Sequence, residues 1–259
     1  MNNTLLYTKN LTIGYASKKE DLTIASDINI SLKKGKLITL IGGNGIGKST
    51  LLKTITAIQT PISGEVILNN KNLFSIENSD LAKQQSLVLT DKLPSSNLTV
   101  WELIALGRQP YTNWIGTLSE DDITKITKAI QLTNIAHLIE KKHYEISDGQ
   151  LQKVLIARAL AQDTDLIILD EPTTHLDLFH KVSVFKLLQK LAHESEKCIL
   201  FSTHDIDLAV QLSDEMIVMT KENTIQDQPC NLIEKGVFDT LFEDENIIFD
   251  KEKGKFIVR

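Results

Sequence analysis

A short glycine-rich segment constrains the fold of this chain more than any other feature. Residues 37–52 read LITLIGGNGIGKSTLL, and four of the 12 glycines in the chain lie between positions 42 and 47. An apolar stretch of strand character precedes the glycines, and leucines at helical spacing follow them. Glycine offers a core no side chain and costs backbone entropy. We therefore expect a turn between a buried strand and a helix, in which a ligand rather than core packing requires the bare backbone.

The segment matches the pattern of a phosphate-binding loop, Gly42-x4-Gly47-Lys48-Ser49. Backbone N–H groups of such a loop converge on phosphate oxygens, and the following helix adds the positive end of its dipole. Lys48 supplies a cation for the outer phosphates, and the hydroxyl of Ser49 can bind Mg²⁺. The alternative is a glycine-rich turn followed by a chance Lys-Ser pair, which the flanking strand and helix disfavour.

Composition excludes several other classes. The 259 residues are enough for one large domain or a domain with a subdomain. A formal net charge of −6 argues against a general nucleic-acid binder. No apolar run approaches the roughly 20 residues of a membrane helix, and the N-terminus lacks the pattern of a secretion signal. We therefore expect a cytoplasmic protein.

The order of predicted elements indicates an α/β fold. The first 70 residues contain strands and turns, and the later segments DLIILD and CILFST are continuous apolar strands typical of a parallel sheet covered on both faces. Capping-box spacing at Thr99 and an N-cap serine at Ser119 predict helices in the middle of the chain. We expect a main domain over 1–225, with a helical insert at about 91–160, and a C-terminal appendage over 226–259.

Two adjacent carboxylates, Asp170 and Glu171, end the apolar segment LIILDE. Ligands of open α/β sheets bind at the carboxyl ends of the strands. Because neighbouring strand residues point to opposite sides, one carboxylate can hold Mg²⁺ through water while the other polarises an attacking water. An Asp-Glu pair alone is often only a strand leaving the core, but together with the glycine loop the catalytic interpretation is favoured.

A second candidate anion site lies in residues 146–160, ISDGQLQKVLIARAL. Ser147 is placed to cap a helix, and Gly149 leaves backbone N–H groups open to an anion. A second helix start of this kind is unexpected in a kinase or a GTPase.

Over roughly residues 5–225 the chain resembles the ATP-binding cassette (ABC) ATPases, with Ser147-Asp148-Gly149-Gln150 in place of their Ser-Gly-Gly-Gln signature.

This resemblance implies a P-loop NTPase core with a parallel sheet, an N-terminal antiparallel β-subdomain and a helical insert. It also implies a two-fold dimer, in which the signature of one subunit closes over ATP held by the glycine loop of the other. The phosphate-loop residues that it assigns to ATP are Gly42, Gly43, Asn44, Gly45, Ile46, Gly47, Lys48, Ser49 and Thr50. The residues that it assigns to ATP from other segments are Tyr15, Ser147, Gly149, Gln150 and Asp177.

The resemblance also implies individual roles. Tyr15 stacks on adenine, unless it is a half-buried strand tyrosine. Ser49 binds Mg²⁺, Asp170 holds the ion through water, and Glu171 is the catalytic base. His204, in FSTHD, contacts the γ-phosphate, the alternative being a surface histidine at a strand end.

Two positions depart from the family pattern. Thr90 stands where a glutamine that binds Mg²⁺ is usual, and its shorter side chain reaches the ion only through water. Asp148 stands where glycine is usual and places a carboxylate near an approaching triphosphate. Two anions repel each other there unless Asp148 turns away and serves the helix N-terminus.

Residues 98–122 resemble the same region in ATPase subunits of importers for iron–siderophore complexes, haem and cobalamin. That region docks on short cytoplasmic helices of the permease in those importers. Trp101, Tyr111 and Trp114 are candidate anchors, with core packing favoured for Trp101. The resemblance implies an identical second ATPase subunit, two permease subunits, an external substrate-binding protein and no nucleic acid. The complex would place the chain on the cytoplasmic face of the plasma (inner) membrane, as a peripheral subunit.

Other functions stay open at this stage. Haem or cobalamin are alternative cargoes. A cassette ATPase acting in DNA repair or on ribosomes is a further alternative, although such proteins usually carry a long coiled coil or two cassettes in one chain. A P-loop kinase or phosphotransferase would make the SDGQ segment accidental, and ATP-driven self-association would distinguish it.

Overall fold

The computed structural model describes residues 3–17, 21–89, 96–241, 247–251 and 253–258. The strands are β1 (Thr4–Tyr15), β2 (Leu22–Ile28), β3 (Ser31–Lys33), β4 (Leu37–Gly42), β5 (Ser63–Leu68), β6 (Lys71–Asn72), β7 (Gln85–Val88), β8 (Leu166–Leu169), β9 (Cys198–Ser202), β10 (Glu215–Met219), β11 (Thr224–Asp227), β12 (Ile247–Asp250) and β13 (Lys255–Val258). The helices are α1 (Lys48–Ile55), α2 (Asn78–Leu81), α3 (Val100–Ala105), α4 (Glu120–Thr133), α5 (Asp148–Ala161), α6 (Leu178–Glu194), α7 (Ile206–Leu212) and α8 (Pro229–Glu234).

The main sheet has the strand order β11-β10-β4-β9-β8-β7. All neighbouring pairs are parallel except β10 with the edge strand β11. In the central strand β4, residues 37–41 are all buried, and side chains alternate between two apolar cores: Leu37 and Ile41 join one, Ile38 and Leu40 the other. The α/β fold with a parallel sheet predicted from the sequence is confirmed.

The second sheet is antiparallel, with the order β2-β1-β5-β6 and β3 paired to β1. Its buried face includes Leu6, Leu11 and Ile13, which share a core with Leu51 and Leu52 of α1. The helix that follows the glycine loop therefore lies between the two sheets. The predicted N-terminal antiparallel β-subdomain is confirmed.

Helices α3, α4 and α5 lie between β7 and β8 in the chain, and the predicted caps are present at Thr99 and Ser119. A buried arginine fastens two of these helices together: Arg108 Nε donates to Asp122 Oδ1 at 2.7 Å, and its Nη1 donates to the carbonyl oxygen of Ala161 at 2.9 Å. Hydrogen bonds from the Ser119 hydroxyl and backbone, with further bonds from Arg108, lower the pKa of Asp122 to about 2. The start of α4 is thereby tied to the end of α5.

The C-terminal segment packs on the main core. Strand β11 spans the boundary expected between residues 225 and 226. Leu232, Phe238 and Phe249 are buried in the same core as the parallel sheet, and the rings of Phe238 and Phe249 stack with centroids 4.6 Å apart. The sequence reveals little of this packing, because the phenylalanines come from a short turn and a hairpin without a regular apolar period.

The longest described helix, α6, has 17 residues and carries several charged side chains. Crossing a bilayer takes about 20 mostly apolar helical residues. In the ranges that the structure covers, no helix reaches the length and apolarity that a membrane span requires.

Candidate functional site

The phosphate loop joins the end of β4 to the start of α1. Gly47 is the N-cap of α1 and has φ +110° and ψ +13°, a left-handed conformation that favours glycine. No side chain caps this helix, and its first turn contains no acidic residue. The amides at its start are therefore available to an anion, and the dipole there is not opposed by a carboxylate.

The four glycines of the loop differ in their surroundings. A Cβ on Gly42 would lie 2.7 Å from the carbonyl oxygen of Met219, and one on Gly47 would lie 2.5 Å from Cγ2 of Ile24. A Cβ on Gly43 or Gly45 would meet no atom within 4 Å. Packing against the chain itself therefore requires glycine at positions 42 and 47, which the sequence reasoning did not expect, and the ligand role of the loop stays a prediction.

Lys48 is buried in the loop that precedes it. Its Nζ donates hydrogen bonds to the carbonyl oxygens of Gly42 at 2.9 Å and Gly43 at 3.1 Å. Burial lowers the pKa of Lys48, while the nearby carboxylates of Glu171 and Asp170 act in the opposite direction. The lysine therefore lies within electrostatic reach of both carboxylates.

Ser202 connects the two carboxylates. Its hydroxyl donates to Asp170 Oδ1 at 2.6 Å and accepts the backbone N–H of Glu171 at 2.8 Å. Strand β8 ends at Leu169, and Glu171 has φ +46°, so a turn rather than strand alternation separates the two side chains. Sequence reasoning missed Ser202. Its position, last in a buried strand and two residues before His204, is the only signal that could have found it.

Half-buried Glu171 and exposed His204 form a pair at the same edge of the sheet. Glu171 Oε1 lies 2.8 Å from Nε2 of His204, and Oε2 accepts the hydroxyl of Thr174 at 2.9 Å. Strands β8 and β9 are neighbours, which explains why residues 33 positions apart meet. A carboxylate held by an imidazole at the end of a strand can orient a water molecule and accept its proton.

The residues near Lys48 suit a magnesium ion. Mg²⁺ prefers oxygen ligands and is usually held by one or two carboxylates together with substrate phosphates. Ser49 offers an exposed hydroxyl in the first turn of α1, and Asp170 offers a carboxylate that Ser202 orients. Among the described residues no group of three or more His, Cys, Asp or Glu side chains forms a metal site by itself. Thr90 lies outside the described residues.

Other residues that the resemblance assigns to ATP line the loop or lie beside it. Asn44 is exposed, whereas Thr50 is buried, and Ile46 packs against the core shared by the two sheets. Tyr15 ends β1 with about half of its surface exposed (51%). Cδ1 of Ile13 lies 3.6 Å from the position of a Cβ on Gly47, so this end of β1 is next to the phosphate loop. An exposed ring there is available for stacking on a base.

The signature segment forms the start of α5. The Ser147 hydroxyl accepts the N–H of Gln150 at 3.3 Å, and the Gln150 side chain accepts the N–H of Ser147 at 3.1 Å, so the predicted cap is present. Ser147 is exposed and Gly149 is buried. Asp177 caps α6 by accepting the N–H of His180 at 2.8 Å. In the part of the chain that the structure describes, no hydrogen bond or ion pair links these caps to the phosphate loop.

Comparisons with known proteins agree on one family. The family model described as ABC transporter matches residues 25–174. The chain is 38% identical to an uncharacterized ABC transporter ATP-binding protein, MJ0873 of Methanocaldococcus jannaschii, over 97% of this chain and 86% of the relative. It is 38% identical to the iron(3+)-hydroxamate import ATP-binding protein FhuC of Bacillus subtilis, over 96% of this chain and 92% of the relative. It is 37% identical to the achromobactin transport ATP-binding protein CbrD of Dickeya dadantii, over 92% of this chain and 88% of the relative.

Solved structures give the same family. An ABC transporter in an inward-facing conformation aligns with a TM-score of 0.80 and 28% identity, covering 98% of this chain and 96% of that chain. The dimeric ATP-binding cassette MJ0796, bound to ADP and phosphate after hydrolysis, aligns with a TM-score of 0.74 and 26% identity, covering 87% of this chain and 99% of that chain. Both similarities extend over most of the described fold.

Proposed function

This chain belongs to the ABC transporter family, and we propose that it is the ATP-hydrolysing subunit of an importer for an iron–siderophore complex or a related metal chelate. Relatives named for iron(3+)-hydroxamate import and achromobactin transport resemble it over more than nine-tenths of its length, which supports this cargo class. Haem and cobalamin are the competing cargoes. ATP is the nucleotide that the family binds and hydrolyses.

One observation carries the enzymatic part of the proposal: Glu171 pairs with His204 at 2.8 Å, at the sheet edge where buried Lys48 also lies. We assign Glu171 as the base that takes a proton from the water attacking the γ-phosphoryl group. His204 holds the carboxylate in position and lies next to the site of the γ-phosphate. Lys48 stabilises the negative charge on the outer phosphates. Mg²⁺, held by Ser49 and through water by Asp170, would neutralise further phosphate charge.

The proposal includes a second copy of the chain. Ser147, Gly149, Gln150 and Asp177 lie on caps of α5 and α6 that make no bond to the phosphate loop of their own chain among the described residues. We assign them to the ATP held by the other subunit. The dimeric cassette MJ0796 with ADP and phosphate supports such a pair.

A groove of about 460 Å³ lies between α2, α5 and the 3₁₀ segment Leu106–Tyr111. The exposed apolar side chain of Leu106 lines it, and Trp114, four residues after the lining residue Pro110, is almost fully exposed (94%). Arg158 lines the groove, and burial lowers the pKa of its guanidinium. We propose this groove as the docking surface for the permease. Trp101 packs against the main core and is not one of the proposed anchors.

The permease would hold the chain at the cytoplasmic face of the membrane as a peripheral subunit, and an external binding protein would deliver the chelate. Within the chain, we propose that the ATPase domain ends after β11, near residue 228, because the expected boundary at 225 falls inside that strand. The helical insert at about 91–160 contains α3 and α4 and nearly all of α5.

The test uses the chain together with the membrane protein that co-purifies with it from native membranes. The complex is reconstituted in liposomes, and ATP-dependent uptake is measured for a radiolabelled ferric hydroxamate, haem and cobalamin. We expect uptake of the ferric hydroxamate that stops in Glu171→Gln. Uptake of haem or cobalamin alone would reassign the cargo, and the absence of any co-purifying membrane protein would overturn the transport role.

A matched variant tests the docking surface. Trp114→Ser should abolish capture of the permease and leave the ATPase rate of the isolated chain unchanged, because this ring is almost fully exposed. Ile123→Ser, which removes an exposed apolar side chain from α4, should leave capture intact. Equal capture of the permease by the Trp114 variant and the parent would show that the permease binds another surface of the chain.

A further inference from the structure

His180 lies between two segments that are far apart in sequence. It is the third residue of α6, and its backbone N–H donates to Asp177 Oδ1 at 2.8 Å. Its ring Nδ1 lies 2.8 Å from the same carboxylate oxygen. The hydrogen bonds from the backbone and the ring of His180 lower the pKa of Asp177. The imidazole is therefore held in one orientation at the loop that precedes α6.

The other edge of the ring covers the signature segment. A Cβ built on Gly149 would lie 2.6 Å from Cδ2 of His180, 3.1 Å from Cγ and 3.3 Å from Nε2. Because Cβ atoms essentially never come this close to another atom, any other residue at position 149 would displace the imidazole from this place. The sequence predicts that Gly149 opens backbone amides to an anion, and the structure adds a second requirement, since this glycine also makes room for the ring.

The two segments joined by His180 have the same proposed task. The Ser147–Gln150 start of α5 and Asp177 are both assigned to the nucleotide held by the second subunit. Their separation must match the separation of the groups they meet on that subunit. A ring that is hydrogen-bonded to one segment and packed on the other fixes this separation within a single chain.

We propose that His180 is a positioning residue for the ATP sandwich, one that sets the spacing between the signature segment and Asp177. The inference rests on the proposed dimeric ATPase and adds a residue that the sequence pattern had not assigned. Its role is indirect, because the ring contacts Asp177 and Gly149 rather than the nucleotide. It predicts that changes at His180 weaken ATP-driven pairing without weakening ATP binding by one chain.

Two substitutions separate the contacts of the ring. His180→Phe keeps an aromatic ring over Gly149 and loses the hydrogen bond to Asp177. His180→Asn keeps a donor near the position of Nδ1 and loses the ring. The matched control is His193→Phe, because His193 lies in the last turn of the same helix and pairs with Asp214 at 2.9 Å, away from the signature segment.

All variants are made in a Glu171→Gln background, and ATP-driven self-association is measured by sedimentation velocity. We expect a dimer dissociation constant about tenfold higher for His180→Phe and His180→Asn than for the parent, the effect of losing one good contact to a charged or packed group. The affinity of the dilute monomer for a fluorescent ATP analogue should stay within about twofold of the parent's. A twofold change corresponds to less than about 0.5 kcal/mol of binding free energy. His193→Phe should behave as the parent does.

The outcomes distinguish this inference from the function on which it rests. If the Glu171→Gln parent does not pair with ATP, the proposed sandwich is wrong. If the parent pairs and both His180 variants pair equally well, the positioning role is wrong. Loss of monomer nucleotide binding in the His180 variants would also overturn it, because that result indicates a general structural defect.

Discussion

The phosphate loop and the signature segment are both turns that lead into a helix, but their helix starts differ. The start of α1 has a glycine N-cap, no side-chain cap and no acidic residue in its first turn. The start of α5 is closed by a reciprocal cap between Ser147 and Gln150, and Asp148 lies in its first turn. One start is open to an anion, whereas the other satisfies part of its own hydrogen bonding and carries a negative charge.

The two segments also differ in burial, because two charged residues of the phosphate-binding site are buried and the first two residues of the signature segment are exposed. Lys48 is buried and already held by loop carbonyls, and Asp170 is buried against Ser202. Ser147 and Asp148 are exposed. This contrast agrees with the proposed sandwich, in which one chain alone binds the nucleotide and the signature segment acts on the nucleotide of a second chain. Affinity for ATP should therefore be a property of the monomer, and turnover a property of the dimer.

The largest expected effect comes from Glu171→Gln. Removing a general base costs about 10³-fold in rate, so turnover should fall by that order while ATP binding is retained. ATP should then trap a dimer, visible as a second species in sedimentation. The control, Glu194→Gln, removes an exposed carboxylate at the end of α6 and should hydrolyse ATP normally. An unchanged rate of ATP hydrolysis in Glu171→Gln would contradict the assignment of Glu171 as the general base.

Lys48→Ala tests whether the monomer alone holds the nucleotide. Losing charge-assisted bonds to the phosphates should lower ATP affinity by about 100-fold. Titration of dilute protein with a fluorescent ATP analogue measures the loss. Lys53→Ala changes an exposed lysine in the last turn of the same helix and should bind ATP as the parent does. An affinity within about threefold of the parent, a difference below 0.7 kcal/mol, would contradict the role given to Lys48.

Ser147→Ala should affect turnover and leave monomer binding unchanged, in contrast to Lys48→Ala. We expect the ATPase rate to fall about tenfold through loss of a hydrogen bond to the nucleotide of the second subunit. The lost cap alone costs about 1 kcal/mol of stability. Ser119→Ala is a stringent control, because it removes the same kind of cap at α4 together with a 2.6 Å bond to Asp122. A similar loss of rate in Ser119→Ala would attribute the effect to stability.

The smallest expected effect concerns the charge at Asp148. In the proposed dimer the exposed carboxylate of Asp148 would face a triphosphate, so Asp148→Asn should strengthen ATP-driven pairing by about twofold to threefold, since exposed charge pairs contribute under 1 kcal/mol. The gain should shrink as salt is added. Asp121→Asn removes an exposed carboxylate from the first turn of α4 and should not change pairing. Weaker pairing in Asp148→Asn would show that this side chain serves the helix instead.

Much of this architecture follows from short stretches of sequence. The strand–glycine–helix order, the caps at Thr99 and Ser119, and the two continuous apolar strands are visible because each depends on residues within one or two helical turns or a single strand. The α/β class and the family resemblance follow from those local signals. The roles of individual site residues remain predictions, which the variants above test.

The sequence by itself determined where a phosphate loop and a carboxylate pair stand, because spacing and residue type are local properties. Only the tertiary structure decided that Met219 and Ile24 require Gly42 and Gly47, that Ser202 joins Asp170 to Glu171, and that the His180 ring needs the space at Gly149. These contacts join residues from different strands and helices. Their partners are chosen by how the sheets and helices pack, and no periodicity along the chain records that choice.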